Sequence, residues 1–448
     1  MTDSNAPKSE TEPKAGFLSL FGDIKAGESG TVTLMLLNIF LILAGYYICK
    51  TVREPLILAG GGAEVKSYAA AGQAVVLMGF IPLYSWFASR VDRVRLIFGV
   101  TLFFILNVEL FWLLVRMRVP YVGVAFFIWV GIFNNAIIAQ FWSYGNDIYP
   151  VKAGERLFPI IAIGATLGSP LGSWVAERLF SQGVPAHTML QITAVVLVVT
   201  MGIYWIVERR QGKSRLRGAR GTKLKVGDGG FVLLARNPYL RLICLLLILL
   251  NLVNTTGQYV LDKYVLGEAA LRAAADPSFN KEAFLGAFYG RYLFSVNILS
   301  VILQALLVSR IVKYLGIAGA LLALPLVALG SYSMVVAGAT LALVRYAKVA
   351  ENATDYSIMN TARQMLWLPT SREEKYKAKQ AADTFIVRVG DMAAAGLVFV
   401  GTTFLEFGPR GFAGANVVIC LAWLGVAILL LRYYRSLTAQ QVPQADAA

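Results

Sequence analysis

Histidine is nearly missing from this 448-residue chain, which has only His187, and cysteine is limited to Cys49, Cys244 and Cys420. Each scarcity removes a chemistry. The cysteines lie in separate apolar runs, without paired spacing or a histidine cluster nearby, so neither a disulfide framework nor a zinc site is expected. His187 stands beside a predicted connection between apolar spans, where an interfacial residue is a simpler reading than a base. No Gly-x-x-x-x-Gly-Lys-Ser/Thr loop exists to cradle phosphates, so work driven by ATP hydrolysis is not expected. The glycine-rich pieces Ala59-Gly-Gly-Gly62 and Gly164-Ala-Thr-Leu-Gly168 read as a turn and as close helix packing. Charge is scarce too, at 15% of residues against 57% hydrophobic, with a mean hydropathy of +0.63. No ordinary soluble domain combines these values, and no catalytic, metal or cofactor constellation survives to read the chain as an enzyme.

What is abundant is long apolar sequence. The opening residues to Lys25 are mixed in charge and lack the apolar centre of a cleaved secretory signal. Runs of about 20 apolar residues then recur throughout, each long enough to cross a bilayer. Their breaks place helices at 31–58, 67–90, 95–116, 120–148, 157–180, 187–207, 238–262, 283–310, 315–336, 339–366, 380–405 and 411–434. The expected fold is an all-α integral membrane protein of about twelve spans. Continuous runs of this kind disfavour a β-barrel, whose strands alternate in segments of about ten.

The longest polar interruption, 208–237, divides the spans six and six. It carries Arg209, Arg210, Lys213, Arg215, Arg217, Arg220, Lys223, Lys225 and Arg236 against Glu208 and Asp228. The chain therefore reads as a tail at 1–30, a six-helix bundle at 31–207, a basic linker at 208–237, a second bundle at 238–435 and a tail at 436–448. Lys and Arg favour cytoplasmic loops, so the linker and both termini are expected in the cytoplasm of a bacterial inner membrane. Arg90 to Arg95, Lys152 with Arg156, Arg310 with Lys313, Lys375 to Lys379, and Arg432 with Arg435 then fall on the same side. The net charge of +15 is explained by this bias. Nucleic acid is not expected as a partner, because the basic stretch 209–225 has glycines and no aromatic platform on which bases stack. The two halves also echo each other. Trp142-Ser-Tyr-Gly-Asn146 ends the fourth span as Tyr356-Ser-Ile-Met-Asn360 stands in the tenth, and Pro150 and Pro369 follow. Parallel repeats about a midplane site are a transporter architecture.

Charges inside the spans mark where function could lie. A charged group at membrane depth costs on the order of 3 kcal/mol even on lenient scales, so it normally faces a wet cavity or a partner. Helical spacing puts Asn38, Tyr46, Lys50 and Arg53 or Glu54 on one stripe of the first span. That stripe reads as an anion-binding wall or as a snorkelling cap with an internal pair. Resumption of the apolar run at Pro55 favours the wall. In the tenth span Arg345, Lys348, Glu351 or Asn352, Asp355, Met359 and Arg363 recur at three- and four-residue steps. Arg291, Asp383, Arg388 and Asp391 are its candidate partners. Asn134, Asn135, Gln140, Asn146 and Asp147 line the fourth span, where amides suit recognition of a base or sugar. Glu109 is a lone acid in the third, either a proton-coupling site or half of a satisfied pair. Cations and acids nearly balance, so some are expected to bridge helices as the bundles rock.

Several of these stretches are similar to a known family. Tyr46-Tyr-Ile-Cys-Lys-Thr-Val-Arg-Glu-Pro-Leu56, Ala63-Glu-Val65 and the block Phe141 to Ala165 resemble the nucleotide translocase family of plastids and obligate intracellular bacteria. Glu373 to Asp383 resembles that family's lysine-rich segment before its eleventh helix. The resemblance covers most of the chain and implies a major-facilitator-like fold in two pseudo-symmetric bundles, exchanging ATP for ADP or importing nucleotides with protons. It points to Arg53 and Glu54, with Lys50 a turn earlier, and to Lys377 or Lys379. The chain departs from the pattern near Val130 and Asn254, where the family has glutamates, and has Arg-Glu for the more usual Lys-Asp.

The resulting expectation is a secondary transporter of a nucleotide or related phosphate-bearing anion, a monomer in the bilayer without metal or cofactor. Its cavity would be built mainly from helices 1, 4, 5, 7, 8, 10 and 11. Lys50, Arg53, Glu54, Asn134, Asn135, Asn146, Arg291, Arg345, Lys348 and Asp355 are the expected substrate contacts. Glu109, Asp147, Glu351, Lys377, Lys379, Asp383, Arg388 and Asp391 are expected to gate or to relay protons. Two alternatives stay open: proton-coupled carriage of an unrelated solute, and a sensor or scaffold that has lost transport.

Overall fold

A computed structural model describes residues 24–25, 28–88, 90–211 and 229–441, and every regular element among them is helical. Most of the expected N-terminal tail, the basic stretch 212–228 and residues 442–448 lie outside the described residues. Helices α1 (29–61) and α2 (63–88) are the two arms of Ser29–Ala88, which breaks at Gly62 with φ 74° and ψ −173°. Only glycine adopts that conformation without a Cβ penalty, so Ala59-Gly-Gly-Gly62 reverses the chain in one residue instead of a loop. Next come α3 (Arg93–Arg116), α4 (Val122–Ile148), α5 (Val151–Ser181) and α6 (Ala186–Gln211). A short helix, Gly230–Arg236, leads into α7 (Pro238–Ala275). Helix α8 (281–315) passes through a widened turn at Leu303–Val308 and ends at Gly316, φ 63°, where α9 (317–336) begins. Helices α10 (341–366), α11 (374–403) and α12 (Pro409–Gln441) complete the chain.

Among the described residues nine helices are long and apolar enough to cross a membrane. Two of them, bent at Gly62 and Gly316, supply a pair of crossing arms each. With α10, whose charged face lowers its hydropathy, span-length arms number twelve, and the protein is a multi-pass integral membrane protein. Leu102, Leu106, Leu110 and Leu113 form an exposed apolar stripe on α3, the face expected to meet lipid. One boundary differs from expectation. Helix α7 runs on to Ala275, with Glu268 and Arg272 paired at 2.8 Å one turn apart on its extension, and the expected 262–282 connection shrinks to 276–280.

Buried apolar side chains form two cores, one from 32–207 and one drawn mainly from 234–431. Ile57, Leu58, Ala63, Ala69 and Phe127 are the first-half residues that join the second core, so the halves share apolar contact at that level. Within the first half, α5 lies against α1 along Gly164, Gly168 and Gly172. A Cβ at these glycines would meet the backbone carbonyls of Leu36, Phe40 and Ala44. The stripe lets the backbones touch, as small residues do in membrane bundles. Gly168→Leu should therefore lose about 1–3 kcal/mol through overpacking. Gly202, with open space around it, should accept leucine with little change. Thermal melting of the two purified variants checks this, and equal melting temperatures would remove the stripe's role.

At the linker, Asn237 Nδ2 donates to Glu374 Oε1 at 2.8 Å, and the Ser371 backbone N–H donates to Oε2 at 2.8 Å. Partial burial pushes the Glu374 carboxyl up, but these hydrogen bonds outweigh it and hold the group below its ordinary range. The entry to α7 is thus tied to the start of α11.

Candidate functional site

Helix α1 presents Tyr46, Lys50 and Glu54 one turn apart, with Arg53 beside them, because residues four apart share a face. All four border a cavity of about 330 Å³ between the halves. The remaining wall comes from α2, α4, α7, α8, α10 and α11. Lys66, Phe127, Asp262, Tyr289, Tyr292, Asn352, Tyr356, Arg388 and Asp391 all line it. Larger hollows, of about 390, 500 and 360 Å³, lie elsewhere, between α2, α3 and α4, between α7, α8 and α10, and between α5 and α8.

The carboxylates of this wall are matched. Glu54 accepts from Arg53 at 2.7 Å and pairs with Lys66 Nζ at 2.5 Å. Lys66 reaches across to Asp262 at 2.9 Å, and Asp262 also accepts from Gln258 Nε2 at 2.9 Å and from the Tyr289 hydroxyl. Asp391 accepts from Arg388 at 3.2 Å and from Thr255 Oγ1 at 3.0 Å. Arg53 is also stacked over Phe127, 4.3 Å from the ring centroid. Lys50 is different. Its ammonium sits 5.0–6.0 Å from the ring centroids of Tyr46, Tyr47 and Tyr356, with no carboxylate within ion-pair distance among the described residues. The rings hold a cation by their faces without neutralising it. Ser67 Oγ, Asn352 Oδ1 and Arg388 Nε are buried on the same wall without a hydrogen-bond partner among the described residues.

The connections at 117–121, 182–185, 276–280, 337–340 and 404–408 mark one end of the helices, opposite the linker. Contacts joining the halves gather at this far end. Besides Lys66 with Asp262, Glu64 accepts from Lys263 at 2.8 Å and from Tyr259 at 2.9 Å, and Arg291 pairs with Glu177 at 2.8 Å. Asn297 donates to Ser173 at 3.3 Å, and the Ala186 backbone N–H donates to Glu282 at 2.8 Å. Toward the linker end α10 instead exposes Tyr356, Asn360 and Gln364, one turn apart. Asn and Gln suit a wet wall, not a lipid face, and Lys379 donates to Gln364 at 2.5 Å there.

Of the expected substrate contacts, the structure brings Lys50, Arg53 and Glu54 to this cavity, with Arg388 and Asp391 from the expected gating set. Others stand elsewhere. Lys348 is buried inside the second bundle, where Asn254 O and Oδ1 accept at 3.0 and 2.9 Å and Glu351 at 2.6 Å. Glu351 also accepts from Tyr332 at 2.8 Å. Lys348 therefore has its acceptors already and is not on the cavity wall. Asp355, one turn on, is buried in the widened turn Asp355–Met359 and likewise does not line the cavity. Arg291 and Arg345 border the far-end hollow between α7, α8 and α10. The fourth-span amides do not reach the cavity. Asn135 donates to its own helix at Gly131 O and, with Asp147, borders the α2–α4 hollow, Asn134 is half-buried and Asn146 is exposed. Glu109 accepts from Gln191 Nε2 at 2.8 Å, away from the cavity. Lys377 pairs with Glu373 at 2.6 Å, and Asp383 is exposed near the start of α11.

Sequence reasoning passed over Lys66, Asp262, Gln258 and Tyr289. Lys66 lay at a predicted helix start and Asp262 at a predicted helix end, positions where charge needs no partner. The apolar residues around them, Val65 and Ala69 to Ala71 for one and Val260, Leu261, Val265 and Leu266 for the other, were the signal that both stand inside spans.

No protein-family model matches the chain. Over nearly its whole length it is similar to ADP,ATP carrier protein 1 of Chlamydia pneumoniae, 22% identical in an alignment 527 positions long, gaps included, that covers 98% of this chain and 99% of that one. ADP,ATP carrier protein 4 of Rickettsia bellii is 23% identical over 344 residues, 67% of this chain and 63% of its own. Among solved structures, a peptide transporter POT in complex with sulfate superposes with a TM-score of 0.64 at 12% identity, covering 94% and 98% of the two chains. A bacterial homologue of the iron transporter ferroportin, inward-facing, gives 0.62 at 15% identity over 90% and 98%. The nucleoside transporter NupG gives 0.60 at 11% over 90% and 99%. The chain is thus similar along its length to ADP,ATP carrier proteins at low identity, and shares the major-facilitator-like all-α membrane fold of these solved transporters.

Proposed function

We propose that this protein is a secondary transporter that carries a nucleotide or a closely related phosphate-bearing anion across a bacterial inner membrane by alternating access. The observation that carries the reading is Lys50, an ammonium without a counter-carboxylate in a cavity whose every carboxylate is paired. Free cations at membrane depth mark a solute path. Arg53 lies beside it, held to Glu54 and stacked over Phe127, and keeps that part of the wall paired. The relatives named as ADP,ATP carriers support a nucleotide as the solute. In this reading the linker end is cytoplasmic, by the Lys and Arg bias of Arg209, Arg210, Arg236, Arg310 and Lys313. The far-end contacts close the cavity to the outside, and the wet stripe on α10 opens it inward. The halves then serve as the rocking bodies, residues 31–207 against 238–435.

Purified protein in proteoliposomes should take up labelled adenine nucleotides. Trans-stimulation by internal nucleotide identifies an exchanger, and dependence on a pH gradient identifies proton symport. Absence of nucleotide uptake under all of these conditions would remove the reading.

A further inference from the structure

The charge balance of the cavity goes further than its position. Arg53 is matched by Glu54 at 2.7 Å, Lys66 by Asp262 at 2.9 Å, and Arg388 by Asp391 at 3.2 Å. Lys50 alone is left, so the wall carries a surplus of one positive charge. Enclosing anionic charge that no cation meets is costly in a low-dielectric site, and the cost grows with each unmatched charge.

The geometry points to a solute with a single phosphate group: among nucleotides, a nucleoside monophosphate in preference to a di- or triphosphate. This rests on the nucleotide reading above and narrows it. A phosphomonoester carries about −1.5 to −2 at pH 7, which one ammonium and a few donors can meet. Each further phosphate adds roughly one more charge, and the cavity offers no further cation unless an internal pair is broken. The volume agrees, since about 330 Å³ lies near the lower end of the roughly 300–1,000 Å³ of small-molecule sites. Lys50 would hold the phosphate from its tyrosine cage, and the partnerless Arg388 Nε and Asn352 Oδ1 would supply a donor and an acceptor for the rest.

The test uses the full-length protein in proteoliposomes, comparing initial entry of labelled AMP, ADP and ATP at equal concentration. Each is run against vesicles preloaded with the same nucleotide. AMP is expected to enter at least about tenfold faster than ADP or ATP. Asp391→Asn, which frees Arg388 and raises the surplus to two, should narrow the AMP-to-ADP ratio to about threefold or less. Entry of ADP or ATP as fast as AMP overturns the single-phosphate inference while nucleotide carriage stands. A full AMP preference retained in Asp391→Asn overturns the charge balance as its cause. If none of the three enters, the nucleotide reading itself fails and this inference with it.

Discussion

Lys50→Gln is expected to abolish most uptake while leaving the fold intact. The expected loss is about a hundredfold in uptake at low substrate, because removing one partner of a buried, hydrogen-bonded charge contact costs about 2–5 kcal/mol and each 1.4 kcal/mol is about tenfold. The fold is spared for a specific reason. Removing Arg53 or Lys66 would leave a buried carboxylate short of a cation, whereas Lys50 has no carboxylate to orphan. Its neighbours are the tyrosine rings, which pack against a glutamine side chain of similar reach. Melting temperature should therefore stay within about 2 °C of the parent or rise, as neutralising an unpaired buried charge is not destabilising. Initial uptake in proteoliposomes, normalised to reconstituted protein, reads the first effect, and a thermal melt reads the second. Uptake within threefold of the parent would show that Lys50 is not the anion contact.

Much of this arrangement was legible in the sequence where one helix carries the whole signal. Tyr46, Lys50, Arg53 and Glu54 recur at turn spacing on a single stretch, so helical geometry alone brings them to one wall. The twelve spans were readable for the same reason, since apolar length is a local property. Residues whose role depends on another helix were not. Arg345 and Lys348 share a stripe in the sequence, yet one borders the far-end hollow and the other is taken up by Asn254 and Glu351. A periodic stripe gives a face but not the neighbour that face meets. The fourth-span amides show the same limit from the other side, because Phe127, not an amide, is what α4 offers the cavity. Asp262 was lost through a boundary: with α7 ended there, its carboxylate looked like an ordinary charge in a connection, while the helix in fact runs on to Ala275.

Lys66→Met is expected to open the far end. Lys66 Nζ lies between Glu54 at 2.5 Å and Asp262 at 2.9 Å, with all three side chains 6% exposed or less. It is the buried cation that joins α2 of the first half to α7 of the second, beside the more exposed Lys263–Glu64 pair. Without it Asp262 keeps only Gln258 and Tyr289 as donors, and two carboxylates face each other. Breaking a buried pair by deleting one partner costs about 3–5 kcal/mol. The cost falls mainly on the state in which the halves touch here, because opening lets water reach Asp262. A bias of about 3 kcal/mol corresponds to more than a hundredfold change in the closed-to-open ratio. Ser67, buried on the cavity wall beside Lys66, is the reporter. A Ser67→Cys substitution, in a background with Cys49, Cys244 and Cys420 replaced by alanine, should react with an impermeant maleimide applied to spheroplasts. Adding Lys66→Met should raise that rate at least about tenfold. Asp262→Asn on top of Lys66→Met removes the stranded charge and should return the rate most of the way to the parent. If Lys66→Met leaves the labelling rate unchanged, the Lys66–Asp262 contact does not hold the far end shut, and closure rests on the Glu64–Lys263 and Glu177–Arg291 pairs and the apolar seam at Ile57 and Leu58.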